Sequence, residues 1–218
     1  MLKDDRMKIK AIIFDVDGVL VDSNKIIVEM FQEVARHFNL RIPTDKEINE
    51  LSGKPLNEII EILWPDFDMN LFAKTYREQF AKKIILPFDG SVETLSRLKK
   101  SGFRFGIVSS KLRFFTEKNL KEAGYEMEWF DTIITCEDTK NHKPSPDPII
   151  LGYKKLNLKP QEILYVGDAK FDYDAAKSAK VNFVGVLTGV STEKQLKKAG
   201  VKNILKSVSD LPKFLKVL

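Results

Sequence analysis

Two aspartates separated by one residue follow the first apolar segment of the chain. Asp15 and Asp17 come directly after the apolar, β-branched run Ile9–Phe14, and Gly18 then lets the backbone turn tightly. Two residues apart in an extended segment, the carboxylates project to the same side. At about 4 Å and an effective dielectric constant near 20, they repel each other by about 4 kcal/mol. The pair therefore predicts either a bound cation or one protonated carboxyl group.

Two further carboxylates follow a later apolar run, in the segment Gly167–Asp172. Magnesium prefers hard oxygen ligands and keeps several of its waters, so it takes only a few carboxylates from a protein. We therefore predict that Asp168 and Asp172 bind Mg²⁺. The alternative for Asp168 is that it caps the helix that follows. The expected proximity of Asp15 and Asp17 favours metal binding.

Hydroxyl and cationic side chains complete the set. Ser109 ends another apolar run and offers a hydroxyl and an N–H to a phosphate oxygen. Lys143 stands in the proline-braced segment His142–Pro146, which would hold its ammonium group in place. The predicted phosphate-binding residues are Ser109, Ser110, Lys143 and Gly18.

These residues follow short apolar runs that alternate with amphipathic, lysine-rich segments. The predicted strands are Ile9–Phe14, Phe103–Val108, Thr132–Thr135, Ile163–Val166 and Phe183–Val186. This rhythm is typical of an α/β fold with a Rossmann-like parallel sheet. Since the carboxyl ends of parallel strands meet at one edge of the sheet, the polar residues after the strands should converge there.

The stretch between the first and second strands is much longer than a crossover helix requires. Its apolar residues recur at helical spacing, as in Phe31, Val34, Ala35 and Phe38. We predict that residues 20–85 form an α-helical cap domain inserted into a core of residues 1–19 and 86–218.

Composition narrows the class of protein. The 218 residues are 43% hydrophobic and 31% charged, as in a soluble globular protein. No apolar run is long enough to cross a membrane, and residues 1–10 lack the apolar stretch of a secretory signal, so we expect a cytoplasmic protein. The net charge of +5 comes with scattered lysines rather than a basic patch with aromatics, and we predict no nucleic-acid partner. We expect Cys136, the only cysteine, to be a small buried hydrophobe.

Four segments occur in the order of the motifs of the haloacid dehalogenase (HAD) superfamily: DVDGVL, VSSK, KPSPDP and GDAKFD. The segment LPFDGSVETLSRLKKSGF resembles the one that precedes the second motif in phosphoglycolate-phosphatase-like members, a subgroup close to β-phosphoglucomutase. Gly53–Leu56 resembles the cap loop that reaches the active site in these relatives, which gives Lys54 a possible contact with substrate. The resemblance spans nearly the whole chain.

The resemblance implies a magnesium-dependent phosphatase that acts on a small phosphorylated metabolite. Asp15 would form an aspartyl-phosphate, and Asp17 would protonate the leaving oxygen and then activate water. Mg²⁺ would be held by the Asp15 side chain, the Asp17 backbone carbonyl and Asp168, with Asp172 ligating directly or through water. Ser109 and Lys143 would bind the transferring phosphoryl group.

Two alternatives remain open at this point. A phosphomutase of the β-phosphoglucomutase type shares both aspartates, and Ser110-Lys111 resembles the second motif of such mutases. Gly167–Asp168 instead resembles phosphatases, where mutases often have Glu-Asp. A non-catalytic binding protein on the same fold is the other, because a fold does not fix a function. The sequence leaves open the substrate and the choice between monomer and homodimer.

Overall fold

The computed structural model describes residues 9–216 of the chain. Within these residues a single parallel sheet has six strands in the order β3-β2-β1-β4-β5-β6. The strands are β1 (Ala11–Phe14), β2 (Arg104–Val108), β3 (Phe130–Ile134), β4 (Ile163–Gly167), β5 (Asn182–Val186) and β6 (Ile204–Leu205). The predicted α/β fold with a Rossmann-like sheet is confirmed.

The predicted strand bounds need small corrections. Strand β1 begins at Ala11 rather than Ile9, and β3 runs from Phe130 to Ile134 rather than from Thr132 to Thr135. Strand β6 was missed because its two residues, Ile204–Leu205, are too few to show a pattern.

Both faces of the sheet are covered by helices, which explains why its central strands are apolar throughout. In β1 alternate side chains enter two cores: Ile12 and Phe14 pack on one side, and Ala11 and Ile13 on the other. The helices of the fold are α1 (Asn24–His37), α2 (Asp45–Glu50), α3 (Leu56–Leu63), α4 (Met69–Phe80), α5 (Ser91–Lys100), α6 (Arg113–Glu122), α7 (Asp147–Lys155), α8 (Lys170–Ala179), α9 (Glu193–Ala199) and α10 (Leu211–Phe214).

Helices α1 to α4 all lie between β1 and α5, in the segment predicted to be helical. An aromatic cluster holds them together: the Phe72 ring centroid lies 4.7 Å from that of Trp64 and 6.1 Å from that of Phe31. Thr44 and Glu47 form a reciprocal capping box that fixes the start of α2. The four helices therefore pack on one another, and their buried side chains belong to the same apolar cluster as one face of the sheet.

Strand β1 lies where the strand order reverses, with β2 on one side and β4 on the other. In open parallel sheets, ligand sites form at the carboxyl ends of the strands at this switch point. The residues that follow these three strands are Asp15, Ser109 and Asp168. The topology thus brings together residues far apart in sequence. Within residues 9–216, no helix is long and apolar enough to cross a membrane.

Candidate active site

A buried row of charged groups crosses the carboxyl edge of the sheet. Lys143 Nζ lies 3.0 Å from Asp15 Oδ2 and 2.8 Å from Asp172 Oδ1. All three residues are buried, and the hydroxyl of Tyr165, on β4, donates a 3.1 Å hydrogen bond to the same Asp172 oxygen. The loop after β3 therefore delivers Lys143 into direct contact with the carboxylate at the end of β1.

Asp172 has donors around both of its oxygens. Oδ1 accepts from Lys143 and Tyr165, and Oδ2 accepts from the backbone N–H groups of Asp168 and Ala169 at 3.2 and 3.1 Å. Asp172, in the first turn of α8, thus accepts from the N-cap residue Ala169 and from the residue before it, and no side chain of residues 9–216 caps the first N–H groups of the helix. The alternative that Asp168 caps the helix is therefore wrong. Direct metal ligation by Asp172 would also require one of these four hydrogen bonds to break.

Asp168 is pressed between two backbone segments. A Cβ atom on Gly18, whose φ is +73°, would lie 2.8 Å from Asp168 Oδ2, and one on Gly189 would lie 1.8 Å from the same oxygen. The loop after β5 also contributes the N–H of Val190, which donates to Asp168 Oδ2 at 2.8 Å. No site residue was predicted in this loop, whose only distinguishing residue in the sequence is Gly189, shortly after the predicted strand Phe183–Val186.

The row contains more buried carboxyl groups than positive charges, and this imbalance is reflected in the pKa values of its members. Burial raises the pKa of Asp15 to about 7, although Lys143 acts in the opposite direction. Burial, together with the negative charges of Asp172 and Asp15, raises the pKa of Asp168 well above its ordinary value. Burial on its own lowers the pKa of Lys143, but Asp15 and Asp172 outweigh it and raise that pKa well above its usual range. Three acids thus share one ammonium group.

A divalent cation fits this donor set. One oxygen from each of Asp15, Asp168 and Asp172 lies within 4.8 Å of the others, and all three residues are buried. These are the hard oxygen donors that Mg²⁺ prefers. An added positive charge would also offset the burial of the acids. Among them Asp15 and Asp168 have the fewer competing hydrogen bonds.

Asp17 is held apart from this row. Its Oδ1 accepts hydrogen bonds from Lys111 Nζ, at 2.5 Å, and from the hydroxyl of Ser23. Lys111 also lies over the ring of Phe80, 4.7 Å from its centroid, and so bridges the sheet edge and helix α4. Neither Lys111 nor Ser23 was predicted as a site residue, although Lys111 is the last residue of the VSSK motif.

The predicted phosphate-binding residues have different surroundings. Ser109 is buried, and its Oγ accepts from the N–H of Lys111 at 3.2 Å. The Ser110 hydroxyl instead donates to the backbone carbonyl of Gly53, in the loop before α3. The Gly18 N–H donates to Val21 O at 3.1 Å, so it serves the local turn rather than an open anion site.

Lys54 lies at the mouth of the same site. Its Nζ pairs with Glu58 at 3.0 Å and lies 5.7 Å from the centroid of the Phe171 ring, at the start of α8.

Cys136, expected to be buried, is only half-buried and borders the cavity beside the acidic row. Burial raises the pKa of its thiol to about 11. At neutral pH the thiol of this cavity-lining cysteine is therefore protonated, and it does not act as a nucleophile.

Comparisons with known proteins identify the family. The haloacid dehalogenase-like hydrolase family matches residues 12–186. The pyrophosphatase PpaX of Bacillus pumilus is 31% identical over 205 residues, which cover 93% of this chain and 94% of that protein. The chain therefore belongs to the haloacid dehalogenase-like hydrolase family. It is an enzyme of the HAD-type phosphatase class, as the four motifs predicted.

Solved structures agree with this assignment. A Bacteroides fragilis protein provisionally designated a haloacid dehalogenase-like hydrolase superposes with a TM-score of 0.85 at 32% identity, covering 94% of this chain and all of its own (100%). A predicted phosphatase from Clostridium acetobutylicum superposes with a TM-score of 0.83 at 27% identity, covering 97% and 100% of the two chains. The match spans the sheet and helices α1 to α4 alike.

Proposed function

We propose that this protein is a Mg²⁺-dependent phosphatase that hydrolyses a small phosphorylated metabolite through a phosphoryl group carried on Asp15. One observation carries the proposal: the Asp15 carboxylate ends the central strand with Lys143 Nζ 3.0 Å away and Asp168 close by. A nucleophile, a fixed cation and a metal-binding carboxylate thus share one cavity. The names of the relatives, a pyrophosphatase and a phosphatase, support the same reaction class.

The residues present fit a magnesium ion, which when bound would neutralise negative charge on the phosphoryl oxygens. The side chains of Asp15 and Asp168 would hold it, with the backbone carbonyl of Asp17. Asp172 supports this site from behind, because its hydrogen bonds orient Lys143 and the Asp168 backbone. We propose contact with the ion through water for Asp172, since both its oxygens are already engaged.

The reaction has two chemical steps. An oxygen of Asp15 attacks phosphorus, the bond from phosphorus to the leaving oxygen breaks, and Asp17 gives that oxygen a proton. Asp17 then accepts a proton from a water molecule that attacks the aspartyl-phosphate. The bond between phosphorus and Asp15 breaks, which releases inorganic phosphate and restores the carboxylate. Lys143 and Ser109 stabilise the charge on the phosphoryl oxygens during both steps.

Asp17 needs to move between its present contacts and the leaving oxygen. It accepts from Lys111 and Ser23, which lie at the border between the sheet edge and the helical segment. These two contacts keep the carboxyl group of Asp17 beside the cavity while it loses a proton and then regains one. We propose that Lys111 and Ser23 position Asp17 and take no part in bond making.

Residues 20–85 act as a cap domain on the core in this proposal. Their loop reaches the sheet edge at two points: Gly53 O accepts from Ser110, and Lys54 lies over Phe171. A cavity of about 380 Å³ lies between the two parts. A cap closed over this cavity would exclude bulk water from the aspartyl-phosphate.

The test is phosphate release from p-nitrophenyl phosphate and from a panel of phosphorylated metabolites that includes pyrophosphate. We expect release with Mg²⁺, none after chelation, and none from Asp15→Asn. Asp66→Asn, an exposed aspartate away from the cavity, is the matched control and should keep full activity. Wild-type inactivity on the whole panel would contradict the proposal. An isomeric sugar phosphate formed instead of inorganic phosphate would indicate the mutase alternative.

A further inference from the structure

The cavity beside Asp15 contains more positive charge than the catalytic row uses. Within residues 9–216, its lining includes four lysine or arginine side chains, and three of them are already neutralised by carboxylates. These three pairs are Lys143 with Asp15, Lys111 with Asp17, and Lys54 with Glu58. The fourth side chain is Arg77, in the last turn of α4.

Arg77 differs from the other three in having no carboxylate within 4.0 Å among the described residues. Its Nε is buried and has no hydrogen-bond acceptor in that part of the chain. A buried N–H without a partner is costly, and more so when it belongs to a charged group. The guanidinium group therefore favours an anion that the protein itself does not supply.

The position of Arg77 shows where such an anion would lie. Helix α4 belongs to the helical segment, yet Arg77 lines the same cavity as Cys136, which follows β3 in the sheet. Apolar side chains, among them Phe31, Ile59 and Phe115, form much of the wall between. Apolar walls lower the local dielectric constant and so strengthen attraction between Arg77 and an anion.

Resting on the proposed phosphatase activity, we infer that Arg77 binds a second anionic group of the substrate. The transferring phosphoryl group is bound at Asp15 and Lys143, so the anion at Arg77 belongs to the leaving group. A guanidinium group pairs in a planar fork with a carboxylate or a phosphate. The substrate class is therefore a phosphate ester or anhydride whose leaving group carries a carboxylate or a second phosphate.

The test compares substrates with and without the second anion. Pyrophosphate and 2-phosphoglycolate carry one, whereas p-nitrophenyl phosphate does not. For Arg77→Gln we expect kcat/KM to fall at least about tenfold on the first two, mainly through KM, and to stay within about twofold on p-nitrophenyl phosphate. Arg77→Lys should recover part of the loss. Lys74→Gln, on the exposed side of the same helix, is the control and should behave as wild type.

The outcomes separate this inference from the proposed function. An equal loss on all three substrates, together with a lower thermal midpoint, would show that Arg77 is structural. Unchanged kcat/KM on pyrophosphate and 2-phosphoglycolate would show that Arg77 does not contact the leaving group. In both cases the wild-type hydrolysis of p-nitrophenyl phosphate would still support the phosphatase proposal. Wild-type inactivity on every substrate would overturn both.

Discussion

Lys143 Nζ lies 2.8 Å from Asp172 Oδ1, in a pair whose side chains are each about 1% exposed. The pair joins the proline-braced loop after β3 to the first turn of α8. The ammonium group that faces Asp15 is therefore held by a carboxylate from another element of the fold. Asp172 acts on the reaction through Lys143 and the start of α8.

Removing the charge of Asp172 should lower the stability of the fold. In Asp172→Asn an amide N–H₂ group replaces one of two oxygens that each accept two hydrogen bonds, so two buried donors lose their acceptor. We expect a cost of about 1–3 kcal/mol, although the repulsion on Asp15 and Asp168 is relieved. Denaturant unfolding without Mg²⁺ measures the free energy of unfolding. The control is Asp174→Asn, which breaks the exposed Lys170–Asp174 pair on the same helix and should cost less than about 1 kcal/mol. Equal effects of the two substitutions would contradict the role given to the buried pair.

Magnesium should stabilise the folded protein even without substrate. At a concentration 100 times its Kd, an ion that binds only the folded state raises the free energy of unfolding by about 2.7 kcal/mol. We expect an upward shift of the thermal midpoint that Asp168→Asn removes and Asp66→Asn retains. A midpoint insensitive to Mg²⁺ in the wild type, or an undiminished shift in Asp168→Asn, would argue against the ligand set.

The two neighbouring serines should give different kinetic effects. Ser109 lies buried at the end of β2, where we propose that its hydroxyl binds the transferring phosphoryl group, so Ser109→Ala should lower kcat. The Ser110 hydroxyl donates to Gly53 O in the proposed cap loop. Its loss is worth about 1 kcal/mol net, so Ser110→Ala should raise KM about fivefold with little change in kcat.

Steady-state kinetics with one substrate and both variants separates the two roles. A fall in kcat for Ser110→Ala as large as that for Ser109→Ala would show that Ser110 contacts the phosphoryl group after all. A Ser109→Ala variant with wild-type kcat would remove Ser109 from the proposed phosphate site.

The Cys136 thiol should react slowly with alkylating reagents, although it lines the cavity. With its pKa raised by burial to about 11, roughly one thiol in 1,000 is ionised at pH 8. Alkylation by iodoacetamide should therefore be far slower than that of a free cysteine and should rise about tenfold per pH unit from pH 8 to 10. Mass spectrometry of the single labelled position follows the rate. Fast labelling at pH 7 that levels off near pH 8.5 would mean that the thiol is not shielded.

Much of the sheet edge could be predicted from the sequence. Asp15, Ser109 and Asp168 each follow an apolar run, and the carboxyl ends of parallel strands necessarily meet. This rule needs no knowledge of side-chain conformation. The rule does not reach Lys143, which lies well beyond the end of β3 and was predicted from its proline-braced segment and the KPSPDP motif.

The residues that contact this edge come from segments distant in sequence, so no local sequence pattern indicates them. Lys111 belongs to the VSSK motif, but its position in the sequence does not show that it bonds to Asp17. Gly189 faces Asp168 only because the loop after β5 returns to the first motif. In the sequence, Arg77 is one of several polar residues on an amphipathic helix, and only the structure shows that it lines the cavity. Spacing along the chain does not encode such contacts.

The central claim is that Asp15 carries the phosphoryl group, and trapping that group tests it most directly. Wild-type protein turning over its best substrate with Mg²⁺ is quenched and treated with borohydride, which reduces an aspartyl-phosphate to homoserine. We predict homoserine at position 15 in the wild type and unmodified side chains in Asp15→Asn. Sustained turnover with no reduction at position 15, or with the modification at another residue, would contradict the account.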